Sequence, residues 1–154
     1  MTRIIHPLAG MIAMLTISIF WLSTIIAELF GTHNTIALVK TMIPWGFFVL
    51  IPALITVGGS GISLAKGRRS GVIGKKLKRM PFIAANGILV LIPSALFLAS
   101  KASSGEFDTS FYIVQAIELI AGATNLILLG LNIRDGLKLT QGKGKKSLSS
   151  SHSR

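Results

Sequence analysis

Four stretches of the chain are almost continuously apolar, and each is about as long as the roughly 20 residues a helix needs to cross a bilayer. The pattern predicts helices over about 8–30, 43–64, 80–99 and 111–131. The few polar residues inside them are ordered. In the fourth stretch Gln115, Glu118, Gly122, Asn125, Leu129, Asn132 and Gly136 follow one another at alternating steps of three and four. That spacing gathers them on one helix face. The first stretch carries a second such face, with His6, Gly10, Ala13, Ile17, Trp21, Thr24 and Glu28. Carboxylates and carboxamides within a membrane helix avoid lipid, so both stripes are predicted to face an interior. The fold expected is all-α, an integral membrane four-helix antiparallel bundle over residues 1–136.

The connections support this order. The segments around 31–42 and 101–110 are short, which makes sequential helices antiparallel neighbours. Pro7, Pro44 and Pro81 suit first helical turns. Pro52 and Pro93 lie inside apolar stretches and are predicted to kink them. Gly58, Gly59 and Gly61, with Ser60 and Ser63, remove bulk from the second helix, for close helix packing or to present a flat surface to a planar cofactor. Residues 137–154, rich in Gly, Lys and Ser, read as a basic disordered tail.

Composition narrows the class. Hydrophobic residues make up 51% of the 154 and charged residues 14%, against about 25% charged in soluble domains. No separate soluble catalytic domain fits, and an enzyme is not the expected reading. The absence of cysteine excludes disulfides, thiolate metal sites and cysteine nucleophiles. The net charge of +11 is read as membrane orientation and contact with anionic headgroups rather than as nucleic-acid binding.

Of the 16 Lys and Arg residues, all but Lys40 and Lys101 fall on one side of a four-span chain. They are Arg3, the 66–79 group of Lys66, Arg68, Arg69, Lys75, Lys76, Lys78 and Arg79, and the later Arg134, Lys138, Lys143, Lys145, Lys146 and Arg154. The positive-inside rule then puts both termini in the cytoplasm, and a bacterial inner membrane is the expected setting.

Candidate chemistry falls at the two ends. His6 and Glu28 are about 33 Å apart along one helix at 1.5 Å per residue, so they belong to separate sites. The outer site is predicted to gather Glu28, His33, Gln115 and Glu118, with Trp45 and Tyr112 as interfacial anchors. Two carboxylates brought together there would serve proton exchange or cation binding. Glu118→Gln is expected to preserve the fold. The inner site is predicted to gather His6, Asn86, Asn125, Asn132, Arg134 and Asp135, with Arg79 and Met80 close by.

In size, span number and helix-borne histidines the chain resembles small bacterial four-helix b-type membrane cytochromes. The resemblance covers the overall plan, not a motif. It implies haem b, with His6 as iron ligand and Arg79 or Arg134 meeting a propionate at the inner face. His6 and His33 lie at opposite ends and cannot share one iron in a protomer. Such a site therefore needs His6 with Met80, a single axial ligand, or a second subunit. Three functions follow: a haem-binding protein for electron transfer or haem handling, a small transporter or proton-coupled protein centred on Glu118 and working as a homodimer, or a non-catalytic membrane subunit or scaffold.

Overall fold

The computed structural model describes the backbone of residues 2–65 and 71–151, and within these the side chains of residues 4–61, 63 and 78–138. Among the described residues the chain is helical, with α1 Thr2–Phe30, α2 His33–Ala65, α3 Gly71–Asn86, a π turn Gly87–Leu91, α4 Ile92–Ser103 and α5 Thr109–Ser151. Helix α3, the π turn and α4 form one continuous span. Among the described residues, four segments are long and apolar enough to cross a membrane: Ile4–Phe30, His33–Gly61, Lys78–Ser103 and Thr109–Lys138. Lys66, Arg68, Arg69 and Arg154, and the side chains of Arg3, Lys75, Lys76, Lys143, Lys145 and Lys146, lie outside the described residues.

Cross-helix bonds fix the direction of each span. His6 Nδ1 meets Ser60 Oγ at 2.9 Å, while Lys40 Nζ meets Thr24 Oγ1 at 3.4 Å, so α1 and α2 are antiparallel. Arg79 pairs with Asp135, and Asn86 with Asn125 further along, so the third span and α5 are antiparallel too. The start of α1 and the later part of α5 therefore lie at one end of the bundle, the termini end. The two tight connections lie at the other, the far end.

The far-end connections are built by local capping. The link Gly31–Thr32 has two residues, because Thr32 caps α2 directly: its Oγ1 accepts from Thr35 N–H at 3.4 Å. Helix α2 thus starts ten residues before the predicted 43, and Pro44 lies inside it. After α4, Gly105 takes φ +71°. Its N–H reaches Ala102 O at 3.1 Å, and Glu106 N–H reaches Lys101 O at 2.9 Å. This paired closure of a helix end requires a left-handed residue, which glycine adopts without a Cβ clash. Asp108 caps α5, its Oδ1 accepting from Ser110 Oγ at 2.6 Å and from Phe111 N–H at 3.0 Å.

Like Pro44, Pro7 lies inside its helix and not in the first turn, since α1 begins at Thr2. Pro81 does not open the third span, since α3 begins at Gly71. Pro93 does perturb it: the five residues ahead of Ile92 form the π turn, in which Ile92 N–H bonds Gly87 O. The missing proline N–H and its ring are absorbed by that widened turn. The backbone of α5 remains helical to Ser151, across the boundary at Gly136 where the composition predicts disorder.

The outside of the bundle is apolar. Phe30, Phe48, Ile4 and Leu89 are each more than 70% exposed. The inside combines small residues, among them Ala9, Ala13, Ala27, Ala53, Ala95, Ala102 and Ala121, and polar ones, Thr24, Lys40, Gln115, Asn125 and Asn132, with larger apolar residues such as Ile17, Leu50, Leu98 and Phe111. Small residues permit close approach of membrane helices, and polar groups bond across them.

Candidate functional site

Both predicted stripes face inward. On α1, His6, Ala13, Ile17 and Thr24 are buried, and on α5 so are Gln115, Gly122, Asn125, Leu129 and Asn132. Glycines let the stripes meet. A Cβ on Gly122 would lie 3.0 Å from Trp21 Cδ1, and Trp21 Nε1 donates to Leu119 O at 2.9 Å. Close packing at glycine does not extend to Gly58 and Gly59, where a Cβ would meet nothing within 4 Å.

The centre of the site is an ion pair that the sequence reading did not contain. Lys40 Nζ donates to Glu118 Oε2 and to Thr24 Oγ1. The lysine side chain is 1% exposed and that of Glu118 12%. Removing two such charges from water is costly, and close pairing with further hydrogen bonds offsets the cost. The pair joins α1, α2 and α5 at one depth. Lys40 was missed because positions 31–42 read as a loop. The signal was present: Ile36, Lys40, Ile43, Phe47, Leu50 and Leu54 continue the alternating four-and-three spacing of the buried α2 face.

Glu118 lines a cavity of about 520 Å³ in the middle of the bundle. Its wall is almost entirely apolar, including Ile17, Phe47, Leu50, Leu91 and Ala95, with Trp21, Thr24, Glu118 and Asn125 as the polar members. Ile51, Ile55 and Ile88 also line it and are 38%, 69% and 63% exposed. The cavity therefore opens sideways between α2 and the π-turn region of the third span. Helix α2 packs more closely on α4 than on α3, which leaves this gap. Toward the far end, Ala27, Ile36, Leu98, Ala102 and Phe111 form an apolar plug beyond the ion pair. Toward the termini end, Ala13, Ala53, Ile83 and Leu129 form the floor.

The other predicted site residues divide. Glu28 is near enough to Lys40 to act on its charge, and its Oε1 is buried with no hydrogen-bond partner. Gln115, 4% exposed, has an Oε1 in the same condition. His33 does not join them. It is exposed at the start of α2 and stacks on Phe107, with ring centroids 4.5 Å apart. Trp45 and Tyr112 are 68% and 44% exposed, on the outer surface.

In the middle layer Asn86 Nδ2 donates to Ala121 O and to Asn125 Oδ1, both at 2.9 Å, and Asn125 Nδ2 donates to Ile83 O at 3.4 Å. At the termini end Arg79 Nη1 donates to Asp135 Oδ2 at 2.8 Å. Arg134, 59% exposed, approaches the same carboxylate at 3.7 Å. The buried Asn132 keeps an unpartnered Oδ1.

His6 and Met80 do approach one another, both packing on Gly61, where a Cβ would lie 3.2 Å from His6 Cε1 and 3.1 Å from Met80 Sδ. Neither lines the cavity, whose wall holds no histidine or methionine. His6 is engaged with Ser60, and Arg79 is held by Asp135. The two predicted axial ligands, His6 and Met80, thus lie beside Gly61 and not in the cavity wall. Among the described residues no three His, Cys, Asp or Glu side chains converge to hold a metal.

No protein-family model, no curated protein and no solved structure matches the chain.

Proposed function

We propose that the chain is a small integral membrane protein that admits a lipophilic molecule from the bilayer into its interior, as a transporter centred on Glu118. The observation that carries this reading is a carboxylate, paired with a buried lysine, in the wall of an otherwise apolar cavity open to the side. Apolar cavities with a few placed polar groups are the usual form of small-molecule sites. A charge held within a membrane span is expensive and is retained where it handles a substrate, an ion or a proton. The lateral gap gives a lipid-soluble molecule a path that crosses no aqueous phase. The plug of Ala27, Ile36, Leu98, Ala102 and Phe111 separates the ion pair from the far end, so release there requires that end to open.

The test is photolabelling of the protein in lipid nanodiscs with a neutral alkyl diazirine. Label is expected on the buried wall residues Leu50 and Ala95 as well as on the exposed Ile26. Gly58→Phe places a ring where a Cβ meets nothing within 4 Å and should fill the cavity. It is expected to abolish interior label and spare Ile26. Interior residues that remain unlabelled in the unaltered protein would contradict the reading.

A further inference from the structure

Three formally charged side chains lie near one another: Lys40, Glu118, which pairs with it, and Glu28, near enough to act on its charge. The described cluster thus carries one negative charge in excess. Two buried acceptor atoms also lack any donor, Glu28 Oε1 and Gln115 Oε1. Their placement is specific. Gln115 stands three residues before Glu118 on α5, and Glu28 four after Thr24 on α1. Both are therefore about 5 Å, one helical turn, further toward the far end than the groups that now hold Lys40. The antiparallel register set by Trp21 and Leu119 leaves Glu28 and Gln115 about 5 Å apart along the bundle axis, at 1.5 Å per residue. A buried acceptor without a donor is costly and calls for an explanation.

Unpartnered buried acceptors are the groups an ammonium, with three donors and no acceptor, can satisfy. A lysine side chain is long and flexible, and its head can swing one turn by changes of rotamer. Glu118 faces the cavity, whereas Lys40 is not part of the cavity wall. Moving Lys40 to Glu28 and Gln115 would leave the Glu118 carboxylate bare and facing the apolar space. Resting on the reading of the cavity as a ligand site, we propose that its substrate is a lipophilic organic cation, which takes Glu118 from Lys40 while Lys40 moves to Glu28 and Gln115. The exchange leaves every charge paired and brings the cluster to neutrality. An anionic ligand would instead add to the negative excess, and a neutral one would give Lys40 no reason to move. No bond is made or broken, and no proton need be transferred.

The experiment compares two ions of the same shape and opposite charge, tetraphenylphosphonium and tetraphenylborate, by equilibrium binding to the protein in zwitterionic nanodiscs, with empty discs subtracted. Saturable binding of tetraphenylphosphonium alone is expected. Glu28→Gln and Gln115→Leu leave the Lys40–Glu118 pair in place, and circular dichroism and gel filtration would check the fold. Each should weaken tetraphenylphosphonium binding by about tenfold, within the usual range of site coupling. In a Lys40→Met background the same two changes should have no effect, because there is no ammonium to relocate; a merely structural role would persist in that background. Preference for tetraphenylborate, or tetraphenylphosphonium binding indifferent to Glu28→Gln and Gln115→Leu, would overturn the exchange. Interior labelling by the neutral diazirine without any preference between the two ions would retain the cavity and reject the cation, so the two readings fail separately.

Discussion

At the scale of single residues, Glu118 takes its meaning from Lys40. Considered alone, a carboxyl in an apolar span is replaceable by a neutral amide of similar shape. With Lys40 1% exposed beside it, Glu118→Gln strands an ammonium in the interior. Breaking a buried pair from one side costs about 3–5 kcal/mol, whereas removing both charges is far milder. Lys40→Met and Glu118→Gln are therefore each expected to destabilise the bundle by about that amount, and the double variant by less than either. Reversible unfolding in mixed micelles would measure the cycle. The inward stripe of Gln115, Glu118, Asn125 and Asn132 was legible in the sequence because helical spacing fixes which residues share a face. The partner of Glu118 was not, because spacing within one helix carries no information about which residue of another helix stands opposite.

At the scale of elements, helix ends decided what could be read. The apolar cores of all four spans were visible, but their limits depend on caps. Thr32 starts α2 at once, and that one cap moves Lys40 from a loop into the bundle. Asp108 acts similarly for α5. Hydrogen bonds from Lys101, Ser110 and the Phe111 amide hold its carboxyl well below the ordinary carboxylate range. A group whose folded value is depressed contributes stability above its unfolded value of about 3.9, and loses it as pH falls toward the folded value. The Phe111 amide resonance is thus expected to hold steady down to pH 4 and to titrate only below it. Lys101→Met, which removes the largest contribution, should move that midpoint upward. The π turn was foreshadowed by Pro93, yet its form was not. A proline announces a lost hydrogen bond, while the neighbouring packing of Asn86 and Gly87 on α5 decides how the chain absorbs it.

At the scale of the whole molecule, four antiparallel helices with an apolar exterior enclose a cavity that no single helix reveals. Its volume depends on the gap between α2 and the third span, which is a property of packing rather than of pattern. Trp21 reports on this space directly, since it lines the cavity, whereas Trp45 lies on the outer surface. In Trp45→Phe protein reconstituted into bilayers, the fluorescence of Trp21 is expected to be quenched by lipids brominated near mid-chain and unaffected by aqueous iodide. Gly58→Phe should abolish that quenching by closing the cavity. Quenching by iodide, or a Trp21 signal that mid-chain bromine leaves unchanged in the unaltered cavity, would contradict a lipid-accessible interior and with it the central claim.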